Sequence, residues 1–555
     1  MFGRIILLTI VGVLQVVPLC AQEQLPARWG DQGDGTFLNP ILRADYSDPD
    51  PLRVGDDYYL VASTFESYPG VTILHSRDLI NWETIGYAFN NLDKVSDSYT
   101  WQKMNRYNGG VYAPTLTYHN GRYYIYANLY TDGFYMAWAD NPKGPWHEQI
   151  LKDAKGHLLS IPRWSDPCPF WDEDGRAYLM TSHPRRTHWY SYLFQMSPDG
   201  TQLLDADSVA LAANTDFYEW PKGGTVISPY HSSEGNRIFK RNGYYYLQHI
   251  EFTNLGQGEG TYIFRSKNIY GDGGCPGHPG EYEKYCVERV TDRDHMKFPG
   301  QGGYVTTPDG RWWWIGQFTR DNPEGRVPYL VPVRWEDDWP VMDETPTRME
   351  KPVQGYKSKL PQGSDDFSDH TLHLRWQWNH SPRNDYWSLS ERKGWLRLHA
   401  YRPQGKQKGF FGAGNTLLQH TIPSEKTVIT TRMDIRHLTN GSQAGLAIFN
   451  GGKSYARIIV KDNSLLFDTN GQMMTCSEQI KKNGIVYLRT TFEADAMARF
   501  YYSTDGQKYQ TIGVPYQLVA GNFRGAMIGL YCYNEQEDNG YADFDFFDYN
   551  ITHRK

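Results

Sequence analysis

The chain has 555 residues, a formal net charge of −7 and 15% aromatic residues, with 18 Trp and 41 Tyr among them. At roughly 100–200 residues per domain this is too long for one compact core. No long run of like charge occurs, which argues against nucleic acid or an anionic membrane as partner, while the aromatic excess suits pleated all-β structure and the stacking of rings on sugar faces.

Residues 1–21 read as an export signal: Arg4 supplies the charge, Ile5 to Val17 the apolar stretch, and Leu19-Cys20-Ala21 the cleavage site before Gln22. The apolar stretch is too short to span a membrane, and nothing later in the chain is long enough. The expected location is exported, periplasmic or secreted. Lipid anchoring through Cys20 is the weaker alternative, because Leu19 is bulky for a lipid-attachment signal. Cys275 and Cys286 share a Gly/Pro-rich loop and form the one pair placed for a disulfide, although they can equally stay thiols. No Cys/His spacing resembles a zinc site.

Over residues 22–343 one pattern repeats: a Gly, Asp or Asn turn followed at once by an aromatic-rich strand. The turns are Gly55-Asp56, Asn120-Gly121, Asp174-Gly175, Asn242-Gly243 and Asp309-Gly310. Such dipeptides favour the left-handed backbone of tight hairpins, and the spacing accommodates a four-stranded antiparallel blade per repeat. The expected architecture is therefore an all-β five-bladed β-propeller. Residues 344–364, rich in Pro, Lys, Glu and Gly, read as a linker. From residue 365 to 555, short alternating segments such as Leu396–His399, Val428–Met433, Ala444–Phe449 and Tyr487–Phe492 predict a concanavalin-like β-sandwich. The final run from Ala542 to Tyr549 alternates as one strand, its Asp residues expected on a solvated face rather than on calcium.

Counting back about seven or eight positions from each hairpin turn reaches the start of the innermost strand of each blade. Those positions hold Asp48, Tyr112, Asp166, Glu234 and Gln301. Taken singly, Asp48 and Asp166 are ordinary residues before a proline turn. Three acids at equivalent positions of a repeat are harder to dismiss, because gathering like charges is costly unless they serve a purpose. Cleaving a glycosidic bond needs an acid to protonate the leaving oxygen and a carboxylate to activate water or attack carbon. A third carboxylate raises the acid's pKa by repulsion. The expected roles are Asp48 as general base, Glu234 as general acid and Asp166 as modulator of the acid's pKa and orientation.

At these residues the chain resembles the family 43 glycoside hydrolases. Ser47-Asp48-Pro49, Ser63-Thr64-Phe65-Glu66, Ser165-Asp166-Pro167, Glu234-Gly235 and Gly325-Arg326 look like the family's base, first-blade, modulator, acid and substrate-binding segments. The run from Arg375 to His380 is similar to the start of the C-terminal sandwich of the family's β-xylosidases. The resemblance implies inversion, a terminal-sugar subsite lined by Phe65, and substrate contacts from Arg326 as well as Tyr112 and Gln301. It also implies a sandwich loop that closes the pocket, for which Phe523-Arg524-Gly525-Ala526 is the nearest candidate. Three departures stand out: Tyr112 where relatives usually carry Trp, Gln301 where many carry His, and Asn236 where Pro commonly follows Glu-Gly. Glu219 is held as the reserve acid.

The implied activity is exo-acting release of terminal β-D-xylose or α-L-arabinofuranose from plant polysaccharide or its oligosaccharides. No cofactor is required, and a structural calcium is possible but unsupported by the residues. The alternative from another class is a non-catalytic carbohydrate-binding propeller, which has no need of three converging acids. Fructan-cleaving propellers fit poorly, because Ser47 and Gly235 stand where their motifs carry Asn and Cys.

Overall fold

A computed structural model describes residues 30–551 apart from 130–131, 186–187, 214–222, 228–231, 253–258, 291–299, 320–322, 343–346, 357–358, 424, 452–453, 481–483, 494, 520 and 522. Residues 1–21, read above as an export signal with Cys20 in it, and the reserve carboxylate Glu219 lie outside the described residues. Among these, no helix is long and apolar enough to cross a membrane. Cys275 and Cys286 are not joined to one another.

Among the described residues, five sheets follow one another along the first unit, antiparallel except for one short parallel pair, Lys152–Asp153 with Gln202–Leu203, in the third. Their leading strands are Asp50–Val54, Val111–His119, Ser165–Trp171, Ser232–Arg241 and Gly300–Thr306. The Gly- and Asn-bearing turns join each leading strand to the next. Val54 pairs Asp57, His119 pairs Arg122 and Arg241 pairs Tyr244, so three of them are two-residue hairpins. Asp174-Gly175 and Asp309-Gly310 instead sit within longer loops, since Trp171 pairs Ala177 and Thr306 pairs Trp312.

Alternation along the second strands explains how the sheets stack. In Asp57–Ala62, Tyr58, Leu60 and Ala62 pack with Trp313 and Ile315 of the fifth sheet, whereas Tyr59 and Val61 pack with Tyr123 and Ile125 of the second. Successive side chains of a strand point to opposite faces, so a strand buried on both sides reads as continuously apolar. Further apolar clusters join the second sheet to the third and the third to the fourth. Each leading strand also touches the leading strands before and after it, and the fifth returns to the first. The circuit is closed.

Among the described residues, the second unit is two seven-stranded sheets face to face over one large apolar core. The final strand, Tyr541–Ile551, sends Phe544, Phe547 and Tyr549 into that core. Its Asp543 departs from the expected solvated face. It is buried and paired with Arg397 at 2.7 Å and Arg392 at 3.0 Å. The stretch read as a linker carries a short strand, Arg348–Glu350, paired to Thr36–Leu38. Lys351 just beyond it is buried against Asp31 at 2.7 Å and Asp78 at 2.9 Å. Three residues have no periodicity of their own, so only the partner strand reveals them.

The two units share an extensive contact. Tyr68 and Trp378 exchange both backbone hydrogen bonds. Arg43, fully buried, donates to Glu425 of the sandwich at 2.7 Å and lies 3.3 Å from Glu324 of the first unit. Removing one member of such a buried group leaves uncompensated charge, at a cost of about 3–5 kcal/mol. Arg43→Met is therefore expected to lower the denaturant midpoint of the whole chain, and an unchanged midpoint would show that the pairing is not needed for docking.

Candidate active site

Asp48, Tyr112, Asp166, Glu234 and Gln301 come from five sheets, and all five line one pocket of about 280 Å³ with Arg326 beside them. Each sits at or just ahead of the first residues of its leading strand. In four of the sheets a register shift follows directly: between Tyr112 and Thr115, Ser165 and Cys168, Glu234 and Arg237, and Gly300 and Gly302. A bulge bends the strand and re-aims a side chain, here toward the pocket.

The backbone is left-handed at Asp48 (φ 55), Ala113 (φ 40), Asp166 (φ 52) and Gly235 (φ 68). Asp, with its short polar side chain, tolerates that region, and strained backbone concentrates at functional positions. Aligned on these residues, the repeats show an offset that the turn count conceals. Asp48 and Asp166 are themselves left-handed, whereas Tyr112 and Glu234 stand one residue earlier. Gly235 also needs its missing side chain, because a Cβ there would meet Ile250 at 3.2 Å.

The three carboxylates are held differently. Asp48 accepts from Arg326 Nη1 (2.8 Å) and Gln317 Nε2 (3.1 Å) at Oδ1, and from Ser63 Oγ (2.6 Å) at Oδ2. Asp166 accepts from Ser165 Oγ (2.5 Å) at Oδ1, and from the Gly235 N–H (2.5 Å) and Gln301 Nε2 (3.2 Å) at Oδ2. Glu234 accepts no hydrogen bond from any described residue. Burial and the neighbouring Asp166 charge push its pKa up to about 8, against a lowering pull from Arg326. Asp166 is raised too, chiefly by burial and partly by Asp48, although its donors oppose the shift. A proton shared by this pair stays on Glu234, the member with no donors to stabilise its anion.

The departures from the family pattern have structural reasons. Asn236 is buried; its Nδ2 lies 2.9 Å from Asp166 O and 2.8 Å from Ser182 Oγ, and its Oδ1 accepts from Ser191 Oγ at 2.7 Å. It pins the Glu234 segment to the Asp166 strand through bonds that a proline could not make. Gln301 serves Asp166 as a donor. Tyr112 presents its ring to the pocket while its hydroxyl donates to Asn108 O. Among the described residues, no group of three or more His, Cys, Asp or Glu could hold a metal ion.

Phe65 lies behind the pocket wall. It is 1% exposed and packs edge-on to Tyr112 at 5.0 Å. The ring that reaches the pocket from that side is Phe523 of the second unit, 52% exposed, with the Arg326 guanidinium 4.7 Å above it. Its loop is anchored on the first unit. Arg524 pairs with buried Glu66 at 2.8 Å and donates to Ser67 Oγ at 2.5 Å, and Ser47 Oγ donates to Phe523 O at 2.8 Å. Gly325 and Gly525 lie so close that a Cβ on Gly325 would fall 2.5 Å from Gly525 N.

Sequence reading did not single out Gln317, Trp189 or Asn128. Gln317 has no motif around it and reaches Asp48 from 269 positions away. The second strands that carry Asn128 and Gln317 read only as apolar repeats.

Known proteins resemble the chain across both units. Residues 37–340 match the model of the glycosyl hydrolases family 43, and residues 364–550 match the beta xylosidase C-terminal concanavalin A-like domain. A beta-xylosidase of Formosa agariphila is 30% identical over 94% of this chain and 91% of its own. A non-reducing end alpha-L-arabinofuranosidase of Bacteroides ovatus is 28% identical over 93% and 94%. Among solved structures, a bifunctional GH43-CE protein of Bacteroides eggerthii superposes with a TM-score of 0.76 at 30% identity, over 93% of this chain and 64% of that one.

The anchoring of Phe523 can be tested directly. Arg524→Ala leaves Glu66 buried without its cation, and a buried unpaired charge is relieved by opening. Amide hydrogen exchange at Phe523 and Gly525 is expected to quicken while the leading strands keep their protection. Unchanged exchange would show that backbone contacts alone hold the loop.

Proposed function

This chain belongs to the glycosyl hydrolases family 43, and we propose that it is an exo-acting, inverting enzyme releasing a terminal pentose from plant cell-wall polysaccharide or its oligosaccharides. β-D-xylose is the favoured sugar and α-L-arabinofuranose the next. The observation that carries this reading is the unequal treatment of three converging carboxylates. Asp48 is gripped at Oδ1 by two donors but at Oδ2 by Ser63 alone, so that oxygen keeps a lone pair for a water. We assign it as the base that activates water. Glu234, without donors and held protonated, is the acid that protonates the leaving oxygen. Asp166 maintains that proton by repulsion and positions the acid's segment through Gly235 and Asn236.

Five sheets in a closed circuit, with every leading strand opening on one pocket, are read as the blades of a five-bladed propeller around a common axis. The pocket is below the roughly 300–1,000 Å³ typical of drug-sized sites, and a loop of the second unit walls one side. Both features suit capture of one terminal sugar rather than passage of a chain. Arg326, beside both Asp48 and the Phe523 ring, is placed to hold sugar hydroxyls. The reaction so proposed draws on side chains alone, without a cofactor. The export signal assigns it to the periplasm or the exterior, where polysaccharide is met.

Asp48→Asn is expected to bind pentose normally and to lose about 10²–10⁴-fold in turnover. A panel of nitrophenyl pentosides, with the anomer of the first-formed product followed by NMR, measures this and distinguishes inversion from retention. Wild-type protein that binds these glycosides without cleaving any would instead be a carbohydrate-binding propeller.

The pH dependence has a definite sign. An acid works only while protonated, so kcat/KM should fall as pH rises through about 8. Asp166→Asn removes a charge that raises Glu234, and the alkaline limb should move to lower pH. A limb that stays in place would separate Asp166 from the acid's titration.

A further inference from the structure

One polar group on the pocket wall has no place in the reaction just described. Asn128, in the strand Arg122–Leu129, is 2% exposed and lines the same pocket as the three carboxylates. It stands directly across the strand pair from Tyr112, so the two side chains share one face of the sheet. Among the described residues its Oδ1 has no hydrogen-bond partner.

Which end of the amide faces the pocket follows from its neighbours. Asn128 Nδ2 donates to Thr181 Oγ1 at 2.9 Å, and Thr181 Oγ1 in turn donates to the Ser165 carbonyl at 2.7 Å. A hydroxyl has one proton. Thr181 gives its proton to Ser165, so toward Asn128 it can only accept, and the amide must present its NH₂ group there. The reversed amide would set two acceptors against each other. The carbonyl end is therefore left unpaired, at a position where the chain could have placed an apolar residue instead. A buried acceptor without a donor is costly, and it persists where a ligand completes it. Of the other polar groups lining the pocket, Arg326 and Gln301 turn donors toward Asp48 and Asp166, through Nη1 and Nε2. Asn128 supplies a neutral acceptor whose orientation is locked from behind.

We infer that Asn128 Oδ1 accepts a hydrogen bond from one ring hydroxyl of the terminal sugar, which makes Asn128 a specificity-determining residue for glycosides bearing that hydroxyl. The inference deepens the hydrolase reading and rests on it. The chain Ser165–Thr181–Asn128 also ties the acceptor to the residue preceding Asp166, so sugar orientation and the carboxylate cluster share one scaffold.

A double-mutant cycle between protein and substrate tests this. Wild type and Asn128→Ala are each assayed on a nitrophenyl pentoside and its 2-, 3- and 4-deoxy analogues; the cycle cancels the intrinsic reactivity differences among the glycosides. Wild type should lose roughly 10- to 100-fold in kcat/KM on one deoxy analogue, since a site built to bond a hydroxyl discriminates against its absence. Asn128→Ala should lose a similar factor on the parent sugar and nothing further on that analogue. Additive losses on all three analogues would overturn the inference. Asn128→Ser, too short to reach the pocket, gives the same reading should the Ala variant fail to fold. If wild type cleaves no pentoside, the proposed function fails by itself. The same cycle, read by calorimetric binding of free pentose and its deoxy forms, then still decides whether Asn128 meets a hydroxyl.

Discussion

Mutual repulsion of three carboxylates is the constraint around which this molecule is arranged. Asp48, Asp166 and Glu234 reach one pocket from three different sheets, and like charges so close cannot all be ionised without compensation. The protein does not compensate them evenly. Three donors converge on each aspartate, the Arg326 cation attends Asp48, and Glu234 is left to keep a proton. A difference in how the acids hold a proton thus arises from burial, from the neighbouring charges and from a distribution of N–H and O–H groups rather than from the acids themselves.

That distribution needs a backbone able to aim side chains out of regular strands. Left-handed residues and bulges at the heads of the leading strands provide it, and they work only because the strands below are tightly held between neighbouring sheets. Departures from the family pattern fall into the same logic. Gln301 bonds the Asp166 carboxylate and Asn236 its backbone carbonyl, so they hold this residue and its strand without adding charge. The second unit belongs to the site as well. Phe523 completes a wall, and the Glu66–Arg524 pair holds it there.

Much of this was legible beforehand. The hairpin turns were visible because Gly and Asn at left-handed positions leave a local mark, and three of them proved to be two-residue turns. The sandwich strands were visible because a face-to-face pair of sheets imposes alternation on every strand, as in Leu396–His399. Counting back from the turns led to five residues that share a pocket, since repeats of similar length put equivalent positions at the same height. Relative to the left-handed residues the count carries an offset of one between sheets, because the third turn sits in a longer loop than the two-residue turns of the second and fourth. Phe65 is buried behind Tyr112 while Phe523 lines the pocket: a ring behind the wall and a ring on it look alike in sequence, and burial separates them.

By itself the sequence determined the all-β class, the repeated sheets followed by a sandwich, and the three acids, because turn chemistry, strand alternation and repeat spacing are local properties. Only the tertiary structure decided which donors serve which carboxylate, that Phe523 rather than Phe65 faces the pocket, and that Asn128 turns an acceptor toward it. The physical reason is distance along the chain: Gln317 and Arg326 meet Asp48 across 269 and 278 positions. No local pattern encodes such meetings, which exist only once the circuit of sheets has closed.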